Sequence, residues 1–595
     1  MSSDPAGRNR CGTCLLCSLG CRVEVERFGP RQWRPTCNGE GQGPCARGQQ
    51  LVDLMQNPHR LYRPILHGRA CGLDAALGAL GDRVANGRTT IWLDGNASLA
   101  DLALVHGFVR SDPDRRRLIV HVPWSELGAV EGLDAGGVKQ TAPDQWNSAD
   151  AYLIIGQPTA THPSAVRHFL RHEQKHVRPP IIAIDSVAGY VTSATPHGLV
   201  CRPGLEWCVL AALLERAGFS ASSRMECRAA DLDVYLAAAG LSATQVTRAA
   251  DVLKKAQRPA AIIAPPVGDR AAWRLVTELS TAWAKQQNGT VTVLTTCANA
   301  LGTARAMRRH GLEDWRSVAQ RGEATETDNL LSLGWDPTSA YPASLWEPML
   351  AKTSFVAAAT AYPLTEPDRF DLVLPAALAS EAGGPYVLAA GEVERVSPLL
   401  EPPAGALTNR ELIARFTDID PTGVPEESAG AHAAADAPPP GALPMPPAEV
   451  AIQGWRAVLC AEPTHYADGQ MTQHTRWAER FDALPTLHVA SPDARTLHVA
   501  EDQVVRVSNE RGETYARVSI APGQPTISVC SVNAPSTGGQ PGGWVALSAA
   551  SPAVRRLAAW HYGHRDDTTA AATVDIEIST IEQRQPREEV VHAGR

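Results

Sequence analysis

Cys14, Cys17 and Cys21 stand in a C-x2-C-x3-C run, and Cys45 follows after a longer interval. Thiolates are the ligands of iron–sulfur clusters, and a tight run on a turn brings three sulfurs to one point for a distant fourth to close. Zinc is the competing metal, but it prefers paired C-x2-C knuckles. Here the second half is no knuckle, because seven residues separate Cys37 from Cys45. Cys11 extends the run to C-x2-C-x2-C-x3-C, a pattern whose fourth cysteine serves a second cluster and is followed by proline. Arg22 follows instead, and no second run exists. The spacing therefore favours one [4Fe–4S] cluster on Cys14, Cys17, Cys21 and Cys45, with Cys11 and Cys37 spare. Arg47, two residues beyond the last ligand, reads on its own as a solvated charge.

The elements that must hold such a site belong to a long chain. Its 595 residues imply two to four domains, and a 44% hydrophobic fraction supplies material for their cores. A formal net charge of −8 without a long basic run argues against nucleic acid as a partner. The N-terminus has no apolar leader and no stretch is apolar enough for a membrane span, which together imply a cytoplasmic protein. Thirteen cysteines, clustered at the start and scattered afterwards, suit a reducing compartment with one metal site.

From Thr89 to Phe416 short apolar runs alternate with amphipathic stretches. TTIWLDG, RLIVHV, AYLIIG, PIIAID, AAIIAP, VTVLTT, SFVAAAT and DLVLPA read as strands buried on both faces. Helical segments such as SLADLALVHGFVRSD and EWCVLAALLERAG between them imply α/β architecture with parallel sheets. Ligands of such sheets sit beyond the strands' carboxyl ends. Gly156 and Asp185 end two strands, and Gly204 lies in a loop before a helix, so these are candidate contacts.

The cysteine run, the CARG that follows it and NPHRLYRPIL resemble the N-terminal domain of molybdopterin oxidoreductases. NSADAYLIIGQPTATHPSAVRHFL, PIIAIDSVAGYVTSATPHGLVCRPGLEW, NALGTARAMRRHG and FDLVLPAALASEAGGPYVLAAGEVERV are similar to that family's body. The His-Pro element and short inserts are most similar to the B subunit of formylmethanofuran dehydrogenases and of the related formyltransferase/hydrolase complexes. The resemblance implies a molybdopterin guanine dinucleotide carrying Mo or W, held by Gly156, Asp185 and Gly204, with Arg47 between cluster and pterin. It implies transfer of electrons to or from a C1 or formyl substrate, other subunits of a formyl-handling or redox complex, and an electron carrier.

Pro421 to Pro447 is rich in proline and alanine and reads as a tether. Beyond it RAVLCAEP, PTLHVA, EDQVVRVSNERGETYARVSI and PTISVCSV read as short strands of a β-barrel, with a hairpin turn at Asn509–Gly512. HYADGQMTQHTRWAER and GGWVALSAASPAVRR resemble the family's dinucleotide-binding barrel. The expected organisation is thus an iron–sulfur domain at 1–66, a parallel-sheet body at 67–420, a linker at 421–449 and a barrel at 450–595. One family feature is missing. Where a metal-ligating cysteine is expected, the chain reads VPWSELGAV, and Ser125 and Glu126 there read as loop residues. A scaffold protein without redox chemistry is therefore the alternative expectation.

Overall fold

Runs of aliphatic and β-branched residues form strands buried on both faces, and these assemble into two parallel sheets. The computed structural model describes residues 9–30, 32–36, 43–165, 179–187, 189–219, 229–266, 268–314, 317–318, 327–340, 343–417, 455–460, 471–475, 484–510, 512–521, 543–548 and 573–580. The tether Pro421–Pro447 and the segment PTISVCSV lie outside the described residues, as do Cys37, Cys227 and Cys530.

The smaller sheet has five strands in the order His197–Val200, Ile181–Asp185, Ala151–Gly156, Pro259–Ala264 and Thr290–Val293, all parallel. The larger has eight: Glu313–Asp314, Arg116–His121, Thr89–Asp94, Asn329–Leu333, Phe355–Thr360, Leu372–Pro375, Ile65–Leu66 and Arg69–Ala70. Its first six strands are parallel, and the short hairpin Ile65–Ala70 adds antiparallel on Leu372–Pro375. All eight strands expected from the apolar runs are present. Asn329–Leu333 and His197–Val200 join them without a signal in the sequence pattern.

The two sheets meet through a helix pair. Trp124–Gly136, which follows the larger sheet's strand Arg116–His121, packs along Arg270–Gln287, which connects two strands of the smaller sheet. Gly128, Gly132 and Gly136 recur every fourth residue and so share one helix face. A Cβ on Gly128 would stand 2.0 Å from the carbonyl oxygen of Arg270, and one on Gly132 would stand 2.4 Å from that of Arg274. Only glycine permits that approach.

The first residues form a three-stranded antiparallel sheet, Asn9–Thr13, Arg22–Gly29 and Gln32–Pro35. At the other end six strands close a barrel in the order Trp455–Cys460, Gly543–Ser548, Thr486–Ala490, Gly512–Ala521, Val504–Asn509 and Thr573–Thr580. Val504–Asn509 and Gly512–Ala521 are the expected hairpin, with Asn509 opposite Gly512. Val505, Val507, Ala516, Val518 and Leu547 fill the barrel's interior. Among the described residues no helix is long and apolar enough to cross a membrane.

Candidate functional site

The cysteine run leaves its first strand, turns, and enters the second. Cys14 N donates to Cys21 O at 2.8 Å, closing the loop. Gly20 turns it at φ +58°, a conformation that glycine adopts without strain. Cys45 caps the short helix Ala46–Gln49, and a Cβ on Gly48 would lie 3.3 Å from Cys14 Sγ. Glycine in CARG thus lets the backbone close on the sulfur.

Cys14, Cys17, Cys21 and Cys45 line one cavity together with Leu16, Arg47 and His162. Burial pushes the Cys14 thiol well up and that of Cys17 up to about 12, and the neighbouring cysteine sulfurs add to both rises. Four bare thiolates cannot coexist so close in a low dielectric, whereas a cationic iron core would offset their charge. Among the described residues no three His, Cys, Asp or Glu side chains are disposed to hold a single metal ion. Cys11 lies apart on the exposed strand Asn9–Thr13, its sulfur beside the Arg22 guanidinium.

Arg47 is buried, contrary to the solvated charge that its residue type alone suggests. Its guanidinium favours the Cys17 thiolate and donates to the carbonyl oxygens of Ala160 (3.3 Å) and Thr161, just past the strand Ala151–Gly156. His162 beside it donates from Nε2 to Thr295 O at 2.8 Å, and its Nδ1 is 2.8 Å from Thr161 Oγ1. Burial, reinforced by the Arg47 charge, lowers His162 to about 3, so it is neutral. Ser18, between two of the cysteines, pairs reciprocally with Thr295, donating its N–H to Thr295 O (3.0 Å) and accepting from Thr295 N (2.9 Å). The cysteine loop is thereby fastened to the carboxyl edge of the five-stranded sheet.

Gly156, Asp185 and Gly204 gather at that same edge. Gly156 has φ +88°, and a Cβ there would be 2.1 Å from Ala264 O on the adjacent strand. Gly204 has φ +80° and leads into the helix Glu206–Arg216. Asp185 Oδ1 accepts from Val187 N (3.3 Å) and Gln157 Nε2 (3.4 Å). Burial, reinforced by the charge of Glu206, raises Asp185 to about 8. Glu206 is raised to about 7 by its own burial, and it accepts from the Ser186 hydroxyl and the Gly204 N–H. Residue types alone do not pair these two carboxyls, which lie 21 residues apart and meet only because neighbouring loops leave one sheet edge. They can receive N–H donors such as those of a guanine edge.

A second cavity, of about 70 Å³, lies over the carboxyl ends of the larger sheet. Asp94, Gly334, Ala361 and Ala376, each at or just past a strand end, line it. Leu15, Leu16, Leu51 and Leu54 enclose it from the cysteine segment, and Met471 from the C-terminal region. His474 stacks on Tyr362 with centroids 4.5 Å apart, and Asn57 donates to its carbonyl oxygen. Leu16 lines both cavities. Arg60 and Glu381, each with a side chain 0% exposed, form a doubly hydrogen-bonded pair at 2.9 Å.

VPWSELGAV is not a loop. After Pro123 it forms the first turns of the helix Trp124–Gly136, with Ser125 and Glu126 buried. Glu126 accepts from Thr296 N (2.6 Å), Thr296 Oγ1 (2.5 Å) and Cys297 N (3.3 Å), and burial raises it to about 7. Proline and three glycines read as loop residues in isolation. Their spacing of four, matched to the facing helix, is the signal that they build a helix interface.

No family model matches the chain. Over 422 residues it is 26% identical to the G subunit of NADH-quinone oxidoreductase from Pseudomonas putida, covering 65% of this chain and 45% of that protein. It thus spans about half the length of this curated relative. Acetylene hydratase from Pelobacter acetylenicus has a similar fold, with a TM-score of 0.68 at 13% identity over 96% of this chain and 99% of that one. The α/β architecture with its closed barrel is therefore a known enzyme fold, and the sequence is similar to part of an oxidoreductase complex.

Proposed function

We propose that the chain is the iron–sulfur component of a molybdopterin-type redox complex, exchanging electrons with a ligand held over the eight-stranded sheet. The observation that carries this is Leu16, which lines both the cavity of the four cysteines and the cavity at the strand ends. When bound to Cys14, Cys17, Cys21 and Cys45, a [4Fe–4S] cluster supplies one-electron transfer. Arg47 offsets thiolate charge at Cys17 and fixes the cysteine loop against Ala160 and Thr161. Cys21 and Cys45 are the less buried ligands, so an electron carrier would approach from their side. Molybdenum or tungsten held by a pterin would supply two-electron chemistry. Gly156, Gly204, Asp185 and Glu206 would receive the guanine end of its dinucleotide, the carboxyls accepting the N–H donors. The resemblance to the B subunit of formylmethanofuran dehydrogenases supports a C1 or formyl substrate and companion subunits.

The scaffold alternative is favoured by one observation. Ser125 and Glu126 are turned into the interior, and Glu126 is engaged by Thr296 and Cys297, so neither offers itself to a metal. The test separates the two. Anaerobically purified chain should hold about four irons and show a paramagnetic signal on reduction. Cys45→Ser should remove both, while Cys11→Ser keeps both. Iron retained in Cys45→Ser, or zinc in place of iron in the unaltered chain, would overturn the cluster assignment. Pterin fluorescence and guanine nucleotide after oxidative extraction decide the second cofactor, and absence of both with iron present leaves electron transfer without a pterin.

A further inference from the structure

Glu126 is a buried acid, 2% exposed, on the helix through which the two sheets meet. One loop holds both of its carboxyl oxygens. Oε1 accepts from Thr296 N at 2.6 Å and Thr296 Oγ1 at 2.5 Å, and Oε2 accepts from Cys297 N at 3.3 Å. Burial raises the acid to about 7, and among the described residues no cation pairs with it. The charges on the elements packed against its helix are spent elsewhere. Arg270 pairs with Glu131 and Asp314, Arg274 with Glu278, and Arg305 and Arg308 with Asp134. Lys285 approaches Gly137 at the helix's other end, and the strand Thr290–Val293 carries no charge.

The loop that holds Glu126 also holds the cysteines. Thr295, the residue before Thr296, accepts the Ser18 N–H at 3.0 Å and donates its own N–H to Ser18 Oγ at 2.9 Å. Ser18 directly follows Cys17. The same Thr295 carbonyl accepts from His162, in the cavity of the cysteines, at 2.8 Å. Bond lengths along this path keep the Glu126 carboxyl within roughly 13 Å of the Cys17 sulfur. Ser18 and Thr295 are fully buried, so a charge at one end is felt at the other far more than across water. A carboxylate so placed opposes the arrival of an electron. We propose that Glu126 is a positioning residue for the cluster, fixing the loop that carries Ser18 and, when ionised, lowering the cluster's reduction potential. The proposal rests on Cys14, Cys17, Cys21 and Cys45 holding that cluster. An electron delivered by the carrier then draws a proton from solvent onto Glu126, which links reduction to pH.

Glu126→Gln keeps an oxygen for Thr296, gives up the long bond from Cys297 N, and cannot ionise. The full chain carrying its iron is titrated with redox mediators at pH 8.5 and pH 5.5, on either side of the acid's own titration near 7. At pH 8.5 only the unaltered chain carries the charge. At the solution potential that half-reduces the unaltered cluster, the ratio of reduced to oxidised cluster in Glu126→Gln should then be at least about threefold higher. At pH 5.5 Glu126 is neutral, and the two proteins should agree within experimental error. A distorted loop would shift both pH values alike, so the split separates charge from structure. The unaltered chain decides the matter should the variant fold poorly, because its cluster should become harder to reduce from pH 5.5 to 8.5. A potential flat in pH, an equal shift at the two pH values, or no shift in folded Glu126→Gln would overturn the proposal. An unaltered chain without iron overturns the cluster reading and this inference together, whereas iron present without the split sinks this inference alone.

Discussion

The two parallel sheets end their strands in opposite ways. On the five-stranded sheet the ends are sealed: Asp185, Gln157, Ser186 and Glu206 are buried and bonded to one another. On the eight-stranded sheet three ends are small, at Gly334, Ala361 and Ala376, Asp94 ends a fourth, and a cavity lies above them. The cysteine loop touches both edges, through Arg47 and Ser18 on the sealed side and through Leu16 on the open side. One edge therefore has its polar groups satisfied internally until a ligand's donors displace them. The other keeps a space lined by leucine and alanine together with polar side chains such as Asp94, Asn96 and Asn409. A buried carboxyl without a ligand is costly, which is why the sealed edge pairs its acids with hydroxyl, amide and backbone donors.

The largest expected effect comes from breaking the wall of the open edge. Arg60 reaches from the cysteine segment to Glu381, in a short helix whose Ala379, Ser380 and Ala382 line the cavity. Glu381 also accepts from Leu378 N at 2.8 Å, so it fixes the helix start. Removing one partner strands a buried charge and costs about 3–5 kcal/mol. Glu381→Ala should lower the thermal midpoint most, and Arg60→Met with Glu381→Leu should recover much of the loss. Equal losses in the single and double variants would show that the pair acts through the helix cap alone.

A smaller effect is expected where the sheets join. Gly128→Ala places a methyl group 2.0 Å from Arg270 O, a backbone atom that cannot swing aside. Overpacking of this kind costs about 1–3 kcal/mol. If the edges are one unit, spreading the helix pair should also disturb the cysteine loop, because Thr295 lies at the end of the connected strand. The expected readout is faster iron loss to a chelator in Gly128→Ala. Iron retained at the unaltered rate, with the thermal midpoint lowered, would make the two edges independent.

Legibility follows the same divide. The sealed edge can be read because it carries marked residues: a strand-end Asp, positive-φ glycines and a cysteine run whose spacing is local. The open edge is written in alanine, leucine and glycine, which have no individual signal. Leu16 looks like filler between Cys14 and Cys17, and only the fold reveals that it lines two cavities. Asn329–Leu333 is five residues of polar-flanked NLLSL and lacks the β-branched character of its neighbours. Trp124–Gly136 is hidden by the proline and glycines that build its interface. Family resemblance puts Arg47 beside the cluster, whereas its burial on two carbonyl oxygens cannot be read from residue type.

The smallest effect, and the one that probes the sealed edge itself, is a pH dependence at Asp185. Its carboxyl titrates at about 8 in the folded chain against an ordinary value of 3.8, chiefly because it is buried, with the Glu206 charge adding to the rise. A raised acid binds its proton more tightly when folded. Its stabilising contribution is therefore complete below pH 3.8 and is lost progressively as pH rises toward 8. Asp185→Asn keeps an oxygen for Val187 N and Gln157 Nε2, and offers Glu206 an amide donor in place of a carboxyl. It cannot ionise, so it escapes the loss. The difference in thermal midpoint, variant minus unaltered chain, should grow from pH 5 to pH 8 and then level. A pH-independent difference would show that Asp185 is already ionised and held by a donor network stronger than the one described. A difference that shrinks with pH would mean the charged form is the stabilised one, and the sealed edge would then be a site built for a cation.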